Sequence, residues 1–372
     1  MKKRVTVIAH EAFLGASRVT IDVCKELKSR GWAFSFVIHL AGVLLSEFEE
    51  IGPTVVLDQS PLEHLKDIQK TKLLTCIHEF RPTIIYASTC ATCPSLAILK
   101  STGIPVVMHV HELATGTFLF ARPFGEVFYE VPSVYLGASR AVVDHLVRDW
   151  SVDRKKVHLA YEGADLDRID KLLKSECINI KKTPGFVVAA AGECRQMKGT
   201  DIWLEAAAIV SSTGYPINYI WFGGPIPTIN AVNKYCMLLN SKIDQLNLRG
   251  IVHFPGWLKN YYPLLAQCDV FTLPSREDPC PLVVLDSLYL SIPVICARGC
   301  GGAPEVVGED AGIVVSELSP DLLAYSIITL YREHELRKRM GQAGRKKIIR
   351  DFGILRLANQ IEYVFGGIVA DS

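Results

Sequence analysis

Ser275 to Glu305 reads SREDPCPLVVLDSLYLSIPVICARGCGGAPE. An acidic loop, an apolar run, a second acid, a buried strand and a glycine turn follow in immediate succession. Asp278 and Asp286 are separated by seven residues. With Pro281 opening a helix, Asp286 sits more than one turn inside it and Asp278 lies in the loop before it. The first amide N–H groups of a helix lack partners and its dipole is positive there, so a helix start is a natural anion site. Two carboxylates beside such a site suit a sugar phosphate: they accept from hydroxyls while the amides hold phosphate.

Outward from this stretch, short apolar runs alternate with helix-like periods. Val5–Ala9, Phe34–Leu40, Thr54–Leu57, Thr83–Ala87, Val106–Val110, Val134–Gly137 and Val157–Ala160 read as strands. Val19, Val23 and Leu27 form one face of a helix between two of them. The alternation predicts a mostly parallel sheet covered on both faces. It pauses at Leu172–Gly185, LLKSECINIKKTPG, a polar, basic linker ending in Pro-Gly. It restarts with Phe186–Ala191, Tyr219–Phe222, Ile251–Phe254, Val270–Leu273 and Val294–Ala297. The C-terminal segment is expected to be helical, with Arg337-Lys338-Arg339 and Arg345-Lys346-Lys347 on solvated faces.

At 372 residues the chain is too long for one ordinary domain and fits two. Its 49% apolar content supplies two cores. Forty Lys plus Arg against 39 Asp plus Glu leaves no global field to attract nucleic acid. The apolar run in MKKRVTVIAHEAFLGAS is cut short by His10 and Glu11, which reads as a first strand and not a secretory leader. No window approaches a membrane span. Arg154-Lys155-Lys156 follows Asp153 and reads as a solvated face, so at most loose peripheral membrane contact is expected. Eleven irregularly spaced cysteines fit a reducing cytoplasm. Cys90-Ala-Thr-Cys93 has redox spacing but no accompanying cluster, and reads as core.

The Ser275–Glu305 stretch resembles the nucleotide-sugar site of retaining glycosyltransferases of family four in the GT-B superfamily. That family places two glutamates at this spacing and closes on a Gly-Gly-x-Pro-Glu turn. Here Asp278 and Asp286 stand at the glutamate positions, each one methylene shorter, and Gly301-Gly302-Ala303-Pro304-Glu305 forms the turn. The resemblance implies an α/β chain of two tandem Rossmann-like, doubly wound domains facing each other across a cleft. Residues 1–178 would be the acceptor-side domain and 179–353 the nucleotide-sugar domain. Residues 354–372 would be a helix crossing back to the first domain.

Site residues follow from the same resemblance. After the strand Phe186–Ala191, the loop Glu193–Gly199 carries Arg195 and Lys198, cations suited to a diphosphate. Lys198-Gly199 matches the family. Its arginine stands directly after the glycine, where this chain has Glu193. Thr200 or Asp201 is expected to cap the next helix. In the first domain, the loop His10–Ser17 resembles the glycine-bearing donor loop, with Gly15 and Ala16 approaching the phosphate and a helix starting near Arg18. The strand Val106–Val110 leads to His109 and His111. Their rings are expected on opposite faces, with His111 matching the family histidine at the donor sugar. Pro279, Cys280, Asp286 and Glu305 complete the donor-binding set, and His111, Lys198 and Asp278 the catalytic one. Glu305 also suits a helix cap.

The implied activity is retaining and metal-independent transfer from a nucleotide-diphospho sugar to a glycan, lipid-linked or small-molecule acceptor. No Asp-x-Asp follows a strand to hold a metal. The shortened acids and Glu193 leave a second reading, a nucleotide-sugar-binding pseudo-enzyme. A Rossmann oxidoreductase is disfavoured, because the first strand–helix loop lacks Gly-x-Gly-x-x-Gly.

Overall fold

The computed structural model describes residues 3–13, 15–175, 185–224 and 234–370. Each apolar run above forms a strand. The first seven are β1 (Arg4–Glu11), β2 (Ala33–Leu40), β3 (Thr54–Val56), β4 (Ile84–Ala87), β5 (Val106–Val110), β6 (Pro132–Gly137) and β7 (Val157–Leu159). The second set is β8 (Phe186–Ala191), β9 (Ile217–Phe222), β10 (Val252–Gly256), β11 (Val270–Leu273), β12 (Val294–Ala297) and β13 (Gly312–Val315). β13 is absent from the sequence reading.

The strands form two sheets, ordered β3-β2-β1-β4-β5-β6-β7 and β10-β9-β8-β11-β12-β13, with parallel pairing throughout. Every residue of β5 and of β8 is buried. That is why these strands read as apolar runs, broken only by His109 in β5: helical crossovers cover parallel sheets on both faces. Strand order reverses between β1 and β4 in one sheet and between β8 and β11 in the other. Such switch points leave a crevice at the carboxyl ends of the strands.

The chain divides into two compact units, Met1–Gly163 with Phe352–Ser372, and Ala164–Asp351. The expected boundary between 178 and 179, and most of the expected linker, fall on residues 176–184, outside the described residues. Within the first unit the helix Ile354–Ala370 packs on the helix Ala16–Ser29. Phe365 meets Trp32 and Tyr86 with ring centroids 5.3 and 5.7 Å apart. Glu362 accepts from Trp32 Nε1 at 2.9 Å and pairs with Arg30 at 2.8 Å. In the second unit Trp203 sits edge-on to Trp221 at 5.4 Å and to Tyr219 at 5.6 Å. Among the described residues no helix is long and apolar enough to cross a membrane.

Candidate active site

The first unit builds its loops at the β1/β4 switch point. β1 runs into His10 and Glu11, and the helix Ala16–Ser29 begins at Ala16, two residues before the expected start. Gly15 is its cap at φ 64°, left-handed backbone that glycine adopts without penalty. Its carbonyl takes the first helical bond, from Arg18 N–H at 3.0 Å. Ser17 ties the loop back by donating to the Glu11 carbonyl. Cys90 and Cys93, after β4, are fully buried free thiols.

β5 ends at His109 and Val110, and His111 follows. The two rings lie on one side with centroids 4.0 Å apart, which corrects the expectation of opposite faces. Side chains alternate along a strand, so residues two apart share a face. His109 is fully buried and takes a 2.6 Å hydrogen bond between its Nδ1 and Tyr86 Oη. His111 Nδ1 contacts Glu162 Oε1. His111 N–H donates to Glu112 Oε2 at 2.9 Å, and Cys90 N–H reaches the same oxygen at 3.3 Å. Burial holds both histidines well below the usual imidazole range and pushes Glu162 above the carboxylate range. Ligand atoms of His109, His111 and Glu162 lie within 4.8 Å of one another, a two-histidine, one-carboxylate donor set. Nδ1 of each histidine already serves a protein partner, Glu162 for His111 and Tyr86 for His109, while both Nε2 atoms and Glu162 Oε2 are buried without one.

The second unit places its loops at the β8/β11 switch point. β8 leads into Gly192 and a short turn, Gln196–Lys198. Gly199, and neither Thr200 nor Asp201, caps the helix Thr200–Ser211. A Cβ on Gly199 would sit 1.9 Å from the Pro274 carbonyl oxygen, at φ +70°, so only glycine lets the loop lie against the end of β11. Asp201 instead accepts from Tyr235 Oη at 2.8 Å and from Arg276 at 2.8 and 2.7 Å. Arg276 also donates its own N–H to the Met197 carbonyl at 2.8 Å, clamping the cationic loop.

Lys198 Nζ meets Asp278 Oδ2 at 2.7 Å, and Ser275 Oγ donates to the same oxygen at 3.2 Å. Asp278 is buried, and its backbone pairs with the glycine turn: its N–H reaches the Cys300 carbonyl, and Gly302 N–H reaches its carbonyl. Arg195 pairs with Glu193 on the same loop. Asp286 lies within the helix Leu282–Tyr289, after Pro281 as expected. One oxygen of its carboxylate is held by two tyrosines: Tyr261 Oη donates to Oδ2 at 2.5 Å and Tyr262 Oη at 3.3 Å. Burial raises this carboxyl to about 6, against the lowering effect of the two tyrosines and Arg168. Cys280 is buried and Pro279 partly so, in the turn before that helix. Glu305 lies half-buried in the first turn of the short helix Ala303–Val307.

Lys198, Asp278, Pro279, Cys280, Asp286 and Glu305 therefore all arise at or just beyond carboxyl ends of strands in one sheet. Gly15, Ala16 and His111 do so in the other. Glu162, Arg276, Tyr261 and Tyr262 escaped the sequence reading. The adjacent Tyr261-Tyr262 pair before Pro263 was the visible signal; Glu162 had none.

Two tandem doubly wound units, each with loops gathered at its switch point, are the architecture of GT-B glycosyltransferases, and the chain shares that fold. Its two halves match family-four-like models in succession. The family described as Glycosyltransferase Family 4 matches residues 14–168, and Glycosyl transferases group 1 matches residues 174–347. The chain is 23% identical over 371 residues to the UDP-Gal:alpha-D-GlcNAc-diphosphoundecaprenol alpha-1,3-galactosyltransferase of Escherichia coli, covering 94% of this chain and 93% of that one. It is 27% identical over 139 residues to the N-acetyl-alpha-D-glucosaminyl L-malate synthase of Bacillus anthracis, 37% of this chain and 36% of that protein. Several curated relatives are matched over only 36% to 55% of their own length. The crystal structure of Anabaena HepE in complex with UDP-glucose superposes with a TM-score of 0.83 at 20% identity, covering 98% of this chain and 99% of that one. At that identity the likeness is one of fold.

Proposed function

We propose that the protein is a retaining, metal-independent glycosyltransferase. It moves a sugar from a nucleotide-diphospho sugar to a hydroxyl of a glycan, lipid-linked or small-molecule acceptor, on the cytoplasmic side and at most loosely at the membrane. The observation that carries this reading is Lys198 on the β8 loop, held beside Asp278 at the switch point. Lys198, Arg195 and helix N-termini stabilise the leaving diphosphate where its charge develops. Asp278 binds sugar hydroxyls, Asp286 the ribose, and Gly15, Ala16, Pro279, Cys280 and Glu305 line the donor. His111 faces the donor sugar. The acceptor attacks from the departing side and the leaving phosphate takes its proton. The Escherichia coli relative is named for a UDP-Gal donor and a diphosphoundecaprenol-linked acceptor, and HepE was crystallised with UDP-glucose; both support a nucleotide-sugar donor here.

A pseudo-enzyme is the second reading, favoured by Asp286 being engaged by two tyrosines and Arg195 by Glu193. Thermal stabilisation by a panel of nucleotides and nucleotide sugars, followed by a transfer assay with the responsive donor, separates the two. A ligand at 100 times its dissociation constant adds about 2.7 kcal/mol. Stabilisation with transfer and a retained anomeric configuration supports the enzyme. Stabilisation without turnover supports the pseudo-enzyme, and no response to any nucleotide sinks both.

A further inference from the structure

Glu162 is a buried acid to which the donor-site reading assigns no task. It follows β7 and is 4% exposed. One oxygen contacts His111 Nδ1; the other, Oε2, is buried without a hydrogen-bond partner. His111 Nε2, on the far side of the imidazole, is likewise buried and partnerless. Desolvating such atoms costs free energy with no return in packing, so their persistence beside a strand end points to a ligand that satisfies them.

Both residues are held firmly. Tyr161 packs edge-on against Phe352 with centroids 5.2 Å apart. Gly163 lies so close to Ile354 that a Cβ would sit 2.8 Å from that residue's Cα. The loop bearing Glu162 is thus pinned on either side. His111 is fixed through its backbone by Glu112 and buttressed by the His109 ring.

We propose that Glu162 is the positioning residue of His111. As a carboxylate it accepts the Nδ1 proton, so Nε2 presents a lone pair that accepts and cannot donate, and its partner is a hydroxyl of the donor sugar. This rests on the nucleotide-sugar reading. It adds a selection rule: the site takes a sugar bearing that hydroxyl over the matching deoxy sugar, because an unpaired buried acceptor is costly. Protonating Glu162 reverses the polarity, since its O–H then donates to Nδ1 and Nε2 carries the hydrogen. Burial raises the Glu162 carboxyl, so the accepting form appears as pH rises through that raised value. The other titratable groups facing the pair are His10 on β1, Tyr86 on β4, His109 on β5, Glu112 in the loop after β5, and Cys90 after β4.

The test uses the full chain labelled with 15N-histidine. Above about pH 8, where a carboxyl raised to about 7 is ionised, the wild type should show His111 as the Nδ1–H tautomer. Glu162→Leu should return it to Nε2–H. With single-deoxy nucleotide sugars, one analogue should lose more than about tenfold in kcat/KM for the wild type and much less for Glu162→Leu. Should Glu162→Leu fail to fold, isosteric Glu162→Gln decides: its kcat/KM should be flat with pH where the wild type's rises. An Nε2–H tautomer in the wild type, or equal discrimination or an equal pH profile in the variants, overturns the proposal. So does saturable, stoichiometric binding of Zn²⁺ alone that shifts both the His109 and His111 resonances, which would make the cluster a metal centre. Absence of transfer from any nucleotide sugar would sink the donor reading while the tautomer measurement stayed legible.

Discussion

Lys198 and Asp278, 80 residues apart in sequence, form an ion pair of 2.7 Å in which the lysine is one-third exposed and the aspartate buried. The cation proposed for a diphosphate is thus already matched by the acid proposed for the sugar. A bound diphosphate adds a second negative partner to Lys198 and leaves Asp278 oriented by Ser275. Lys198→Ala should cost about 10²–10³ in kcat, the usual loss for one donor to a charged transition state. It should also cost about 1–3 kcal/mol of stability, because Asp278 is left buried without its cation. Adding Asp278→Asn should restore the melting temperature and leave kcat low. Unchanged turnover in a folded Lys198→Ala variant contradicts the assignment.

The glycine turn supports the same carboxylate. Gly301 has φ +115°, and a Cβ there would lie 1.9 Å from the Asp278 carbonyl oxygen. Gly301→Ala combines left-handed strain with a backbone clash and should cost more than the roughly 1–3 kcal/mol of strain alone. Gly15, at φ +64°, has open space where a Cβ would go. Gly15→Ala should cost only about 1 kcal/mol. Denaturant midpoints of the two variants check the ranking, and donor affinity should fall further for Gly301→Ala.

The fold was legible because parallel strands buried on both faces leave unbroken apolar runs, as in Val294–Ala297 and Phe186–Ala191. β13 escaped because its four residues are only half buried and its pattern, buried at the ends alone, gives no clear period. Local spacing placed Asp286 inside its helix and Lys198-Gly199 at a strand end. It failed where partners are distant in sequence. Glu162 reaches His111 across 51 residues, and Tyr261 reaches Asp286 across 25. No periodicity encodes such contacts; they exist only once β5, β6 and β7 are laid side by side, or β10 and β11 are brought into one sheet across β9 and β8. The His109–His111 geometry was within reach of the sequence, since period-two alternation puts both rings on one face.

Transfer should survive a strong chelator. In the proposed mechanism the leaving diphosphate is neutralised by Lys198 and Arg195, so no metal is needed to carry that charge. The assay is product formation after exhaustive chelation, with and without added Mg²⁺. Complete loss rescued by Mg²⁺ contradicts the metal-independent reading.

Asp286 should reveal its two tyrosines through pH and through size. Its carboxyl is raised by burial to about 6, above the unfolded value of 3.8, so folding favours the protonated form. The stability this group contributes is greatest below about pH 4 and is lost as pH rises through about 6, a change of up to roughly 3 kcal/mol at 1.36 kcal/mol per unit. Asp286→Asn should therefore gain on the wild type across that window and hold a constant difference above it, measured by denaturant unfolding at each pH. Asp286→Glu restores the family's longer acid, yet Tyr261 and Tyr262 already close on the shorter one. The added methylene must push them aside, at a typical overpacking cost of about 1–3 kcal/mol. Nucleotide affinity should fall or stay level in Asp286→Glu. A gain in affinity with full stability would mean that the tyrosines yield freely and that the carboxylate belongs to the ligand rather than to them.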